Sequence, residues 1–303
     1  MGSDTHMTTR SMGPLAGFGW LKRGINVGYG NPKALFGGAG LLMLLCLLPT
    51  LITLPMQLDA MRAGTQPDPK TLVLIMVISA IGGLLLIPIY AGYLQLVDAA
   101  ERGQPARARD IFKPYRQGDA LRLIGYGLAI AVVYVAAFGA VVATTGRAVV
   151  QWYWEAMAAQ ASHQPPPTTL PEGFGITVAL FVVIGMFMMG VYAISLGQVA
   201  IGRRSVLGAI GDGVAGALKN LLPLLVFMAS LMVAWIVAAI AIVLLAGLLA
   251  VLGKMVGLWL VVLLLVPLYI ALLLMIVAVG FGVMYYLWRD VCGDQAMTPS
   301  IAA

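Results

Sequence analysis

The chain has 303 residues, of which 61% are hydrophobic and 10% charged, with a formal net charge of +6 and a mean hydropathy of +0.97. Soluble domains carry about 25% charged residues, so this composition excludes a water-soluble globule and a disordered chain alike. Of its two cysteines, Cys46 lies in the first apolar segment and Cys292 near the C-terminus, so no disulfide framework is expected.

Met1–Met7 hold two methionines with Gly-Ser between them and no apolar core, which reads as an added leader rather than a signal peptide. Residues 1–16 are therefore expected to lie outside the fold. The first span, Leu35–Met56, then serves as the targeting signal and stays in the membrane. Later apolar runs place spans at Thr71–Val97, Leu121–Thr145, Gly175–Ile201, Leu221–Leu252 and Met255–Trp288. Each is about 20 residues or more, enough at about 1.5 Å per residue to cross roughly 30 Å of hydrocarbon. Continuously apolar runs indicate helices, because barrel strands alternate over about ten residues. Between Leu221 and Leu287 the one charge is Lys254. Three crossings there would bury that lysine near the bilayer centre, whereas a turn at Gly253–Gly257 leaves it at an interface. Pro267 is the expected kink of the last helix.

Of the 18 basic residues, only Arg62, Lys70, Arg147 and Lys254 fall on the side opposite the termini, and Asp59, Asp68, Glu155 and Glu172 balance them. That asymmetry places both termini in the cytoplasm. The net positive charge then lies on the inner face, where anionic headgroups are its expected partner rather than nucleic acid. On the outer side a loop is expected over Arg147–Gly173. It opens with Trp152, Tyr153 and Trp154, which with Trp20 and Trp288 are read as membrane-interface anchors. His163, before Pro165–Pro167, has no second histidine nearby and reads as a lone surface residue.

A short cytoplasmic segment with apolar residues three and four apart precedes the first, third and fifth spans: Phe18, Leu21, Ile25 and Tyr29; Ile111, Phe112 and Tyr115; Leu207, Ile210, Val214 and Leu218. The fold class is thus all-α: six transmembrane helices in three hairpins, each preceded by an interfacial amphipathic helix. The domain is bounded at residues 17–290, with 291–303 as a tail. The recurrence at about 90 to 100 residues suggests a parallel internal repeat around a pseudo-threefold axis.

Several short motifs carry a resemblance: Gly19–Gly24 leading to Asn31-Pro32, Tyr93 through Ala99–Gly103 with Asp110–Phe112 behind it, Arg203-Arg204-Ser205, and Tyr286–Asp290. Together they resemble an uncharacterised family of six-helix bacterial inner-membrane proteins, distantly similar to YciC-like proteins and to the membrane domain attached to some glycerophosphodiesterases. The resemblance implies a fold and an inner-membrane location; it implies no activity.

The span interiors offer Thr53, Ser79, Thr144, Thr145, Ser230 and Cys46, and no interior Asp, Glu, His or Lys. No acid-base pair, HExxH or P-loop is present, so no catalysis and no cofactor are expected. Ion-coupled carriers place ionisable groups at mid-membrane, which leaves a membrane organiser or a conduit for lipid or another apolar small molecule. Met186, Met188 and Met189 read as packing residues rather than a soft-metal site. The expected functional residues form an inner collar of Asp98, Arg102, Arg109, Asp110, Arg116, Arg203, Arg204, Arg289 and Asp290. It is expected to pair across the repeats and hold phospholipid headgroups. The other expected partner is a membrane protein.

Overall fold

The computed structural model describes residues 9–63, 68–162 and 164–293. They form ten α-helices, one 3-10 turn and one π-helical turn, with no strand among the described residues. In hydrocarbon each backbone N–H and C=O must find its partner within the protein, which helices achieve locally. Six helical segments are long and apolar enough to cross a membrane: α2 (Pro32–Ala63), α3 (Pro69–Glu101), the run formed by α5 (Ala120–Val141) and α6 (Arg147–Ala161), α7 (Phe174–Ala200), α9 (Leu221–Val256) and α10 (Leu258–Cys292). The shorter elements are α1 (Ala16–Asn26), the 3-10 turn Ala108–Phe112 with the single-turn α4 (Lys113–Arg116), and α8 (Val206–Lys219).

The expected loop at Arg147–Gly173 is corrected. The helix does not stop at Thr145; a π-helical turn, Val142–Gly146, links α5 to α6, which runs on to Ala161. Hydropathy ends at Arg147, but Arg, Ala, Gln, Glu and Met are strong helix formers, and no proline intervenes before Pro165. Thr144 and Thr145 donate back to the carbonyls of Ala140 and Val141 at 2.8 and 3.2 Å, as hydroxyls do where a helix is distorted. His163 lies outside the described residues, as does the leader Met1–Met7.

The last two helices part at one residue. Gly257, at φ 120° and ψ 155°, occupies a region essentially reserved for glycine. Lys254 sits in the last turn of α9, where a cation meets the negative end of the helix dipole. α10 runs unbroken through Pro267 and past the expected boundary at Asp290, and both Val291 and Cys292 are buried.

The first and last described residues lie at one end of the bundle, here called the base, where the Arg10 N–H donates to the Val291 carbonyl at 3.0 Å. Thr9–Met12, grouped with the leader on sequence grounds, are stitched down there. Lys219 Nζ donates to the carbonyl and hydroxyl oxygens of Thr9. The Asn220 side chain donates to the Arg10 carbonyl and accepts from the Met12 N–H.

The tightly packed core sits in this base. Trp20, Tyr93, Tyr126 and Tyr285 are among its largest fully buried side chains. Away from it the helices share little: from Met228 to Val277, Leu249 is the one buried residue among those described. Lipid is as apolar as leucine, so helix association is driven by close backbone approach and hydrogen bonds, and both concentrate at the base.

Each short element packs on the hairpin that precedes it around the bundle. α1 lies on α9 and α10, the 3-10 turn on α2 and α3, and α8 on α7 and α5. Glycines make the seams: a Cβ at Gly17 would meet the Pro223 carbonyl oxygen at 2.0 Å, one at Gly92 the Ile111 oxygen at 1.9 Å, and one at Gly213 the Val191 oxygen at 2.7 Å. The sequence stripes therefore split. Leu21 and Ile111 are buried, while Phe18, Ile25, Tyr29, Leu207 and Leu218 point away from the bundle. Small residues such as Gly24, Ala209, Gly216 and Ala217 take the packing faces.

Candidate functional site

Polar chemistry concentrates where helix ends meet at the base. Trp20 and Arg23, three residues apart on α1, face the end of α10 together. Trp20 Nε1 donates to Asp290 Oδ2 at 3.0 Å, and the Arg23 guanidinium forks onto both oxygens of the same carboxylate. A bidentate fork fixes angle as well as distance. Arg23 also lies 4.6 Å from the Tyr286 ring centre, and Arg289 lies 5.4 and 4.9 Å from those of Tyr285 and Tyr286. The Tyr286 hydroxyl donates to Glu101 of α3, so α1, α3 and α10 are joined through one ring.

A second cluster closes the end of α7. The last carbonyls of a helix lack intrahelical donors. Here Gln95 Nε2 donates to the Ala200 oxygen at 2.7 Å, and Arg122 donates to the Val199 and Arg204 oxygens at 3.1 and 3.3 Å. Gln198, buried, donates to Asp212 at 2.9 Å and accepts from Trp288 Nε1 at 3.3 Å. Arg204 Nε reaches the same Asp212 oxygen at 3.0 Å. Higher in the bundle the Tyr93 hydroxyl donates to the Leu35 carbonyl, Tyr134 donates to the Met188 carbonyl, and Tyr126 shares a hydrogen bond with Ser195.

Comparison with known protein families, with curated proteins and with solved structures finds no match to this chain.

The members of the expected collar make the following contacts among the described residues. Asp98 pairs with Arg102 one turn along the same helix at 2.7 Å. Asp110 accepts from the Arg107 N–H at 2.9 Å and pairs with Lys113 at 3.7 Å. Arg204 pairs with Asp212, and Asp290, held by Arg23, reaches across the chain. Arg109, Arg116 and Arg203 are exposed, with no side-chain partner among the described residues. Among the described residues these ion pairs join collar members to nearby residues or to α1.

The aromatic anchors divide as well. Trp20 and Trp288 are 0% and 3% exposed, and their indole N–H groups are held by Asp290 and Gln198, so neither ring is available to headgroups. Tyr153 and Trp154 are exposed on α6, and Trp152 packs against Phe174 with ring centres 6.3 Å apart. Sequence reasoning passed over Arg23, Glu101, Gln198 and Asp212. A readable signal existed for Gln198 and Asp212, which are polar residues placed among apolar neighbours; Arg23 gave none, because its partner lies 267 residues away.

One recess lies apart from these clusters. Between α2 and α3, where Pro49 packs on Gly82, a laterally open groove of about 560 Å³ is lined by Leu48, Ile52, Ile81 and Leu85, with Phe112 and Tyr115 at its base end. The Tyr115 hydroxyl donates to the Leu85 carbonyl, and burial pushes its pKa above the ordinary tyrosine value. Among the described residues, no group of three His, Cys, Asp or Glu is gathered where it could hold a metal. The base acids Asp98, Glu101, Asp110, Asp119, Asp212 and Asp290 each hold a hydrogen bond or an ion pair. Chemically the arrangement locks helix ends together.

Proposed function

We propose that the protein is a non-catalytic organiser of a bacterial inner membrane, with both termini and the base in the cytoplasm. The observation that carries this reading is how the base spends its polar groups. Its buried tyrosines, tryptophans and glutamine and its more exposed acids hold helices to one another, and large aromatic side chains fill the core of the base. What remains outward-facing is cationic: Lys22, Lys33, Arg109, Arg116 and Arg203 are exposed without partners among the described residues. A rigid block presenting positive charge suits contact with anionic headgroups or an acidic face of a membrane-protein partner. The resemblance to six-helix inner-membrane proteins and the placement of basic residues support the same location. The seating of each short element on a neighbouring hairpin supports a threefold internal repeat.

Two measurements test the reading together. Reconstituted vesicles are expected to show no more flux of fluorescent lipid or apolar dye than protein-free vesicles. A photo-crosslinking residue at Lys22 or Arg203 is expected to give discrete adducts in native membranes. Lipid or dye flux that scales with protein copy number would overturn it in favour of the second reading, a lipid conduit, which the lateral groove between α2 and α3 favours.

A further inference from the structure

We propose that the groove between α2 and α3 seats one acyl chain of an anionic phospholipid, drawn from the leaflet around the base, whose headgroup is held by Arg109 and Arg116. The walls come first. Leu48 and Ile52 on α2 and Ile81 and Leu85 on α3 belong to membrane-crossing helices, so the groove opens sideways into hydrocarbon rather than into water. Its base end is closed by Phe112 and Tyr115, and the one hydroxyl there is spent on the Leu85 carbonyl. The recess therefore offers a ligand only apolar contact.

Size selects the occupant. The volume of about 560 Å³ falls in the range of roughly 300–1,000 Å³ typical of small-ligand sites. A helix about 10 Å across displaces about 120 Å³ for each 1.5 Å of rise, so the same groove would hold fewer than about five helical residues. It is wide enough for a hydrocarbon chain and too small for a partner helix.

Charge selects the headgroup. From Arg107 to Arg116 four basic residues stand against one acid, Asp110, which is already engaged by Lys113 and the Arg107 N–H. Arg109 and Arg116 bracket the two residues that close the groove, are exposed, and have no partner among the described residues. The segment itself is fixed: Ile111 is fully buried, and its carbonyl lies where any side chain at Gly92 would have to go. A phosphate entering with the chain would lie beside the fixed segment that carries both guanidinium groups. The inference rests on membrane immersion alone and not on the organiser reading.

The test uses the full chain in nanodiscs of mixed phosphatidylglycerol and phosphatidylcholine, released into native mass spectrometry. One retained phosphatidylglycerol per chain is expected. At about 5-fold for each basic contact, Arg109→Ala with Arg116→Ala should lower its retention about 25-fold and bring it to the level of phosphatidylcholine. Leu48→Trp and Ile52→Trp, at exposed lipid-facing wall positions, should fill the groove and reduce retention of both lipids. Arg147→Ala with Lys254→Ala, which removes two exposed charges on the side opposite the base, should change nothing. Equal losses in the two charge variants, full retention in both tryptophan variants, or a second polypeptide in place of the lipid would each overturn the proposal.

Discussion

Asp290 is where two side chains of α1 converge. It takes an indole N–H and a forked guanidinium from α1, and its side chain is 16% exposed against 36% for Arg23. Asp290→Asn leaves the Arg23 charge half-buried without a counter-ion and should lower unfolding stability in detergent by about 2–3 kcal/mol. Arg23→Lys keeps the charge and loses the fork, and should fall between the two, near a loss of about 1 kcal/mol. An unfolding midpoint for Asp290→Asn equal to that of the parent would remove the pair from the list of contacts that matter. Gly92 tests packing instead of charge. With a carbonyl oxygen 1.9 Å from where its Cβ would lie, Gly92→Ala must push backbone away from backbone. A loss of about 3 kcal/mol or more is expected, at the upper end of overpacking, and should appear as poor recovery of folded protein.

At the scale of helices, the start of α3 and the break between α9 and α10 make separate predictions. Asp68 caps α3 by accepting the Thr71 N–H at 2.6 Å, and that hydrogen bond holds its carboxyl below the ordinary aspartate value of 3.8. A depressed carboxylate contributes stability that is full above the unfolded-state value and lost as pH falls through the folded-state one. Protection of the amides over the first turn of α3, taken relative to the intrinsic exchange rate at each pH, should fall as pH drops below about 4, and Asp68→Ala should show the low protection at all pH values. Gly257→Ala forces a side chain into a glycine-only conformation and should cost about 1–3 kcal/mol, measured as loss of thermal stability in detergent. The spans were legible in the sequence because a run of twenty apolar residues needs no tertiary partner to declare itself. α6 was missed because Arg147 and Glu155 end the hydropathic signal while backbone propensity carries on. The stripes on α1 and α8 revealed periodicity and not direction: a glycine face can outcompete a leucine face for a helix surface, since backbone approach matters more than greasiness where lipid is the solvent.

For the whole molecule, the arrangement of contacts matters more than their number. The pairs that close the base, Arg23 with Asp290, Glu101 with Tyr286 and Gln198 with Trp288, join residues far apart in the chain, which is why a list of charged residues could not say which would meet. Because α1 sits on α9 and α10, a chain ending before Leu221 should leave α1 open to trypsin after Lys22 and Arg23, while the full chain resists. Equal cleavage of the two would mean that α1 has another seat. The same seating fixes a schedule. The ribosome delivers Asn26 about 266 residues before Cys292, roughly 13–53 s at 5–20 residues per second. For that interval the first helix made has no dock, and its tryptophan and arginine must wait at the membrane surface until the final hairpin emerges. Assembly of the bundle therefore finishes where translation began, and any break in the last helix is felt first at the opposite end of the chain.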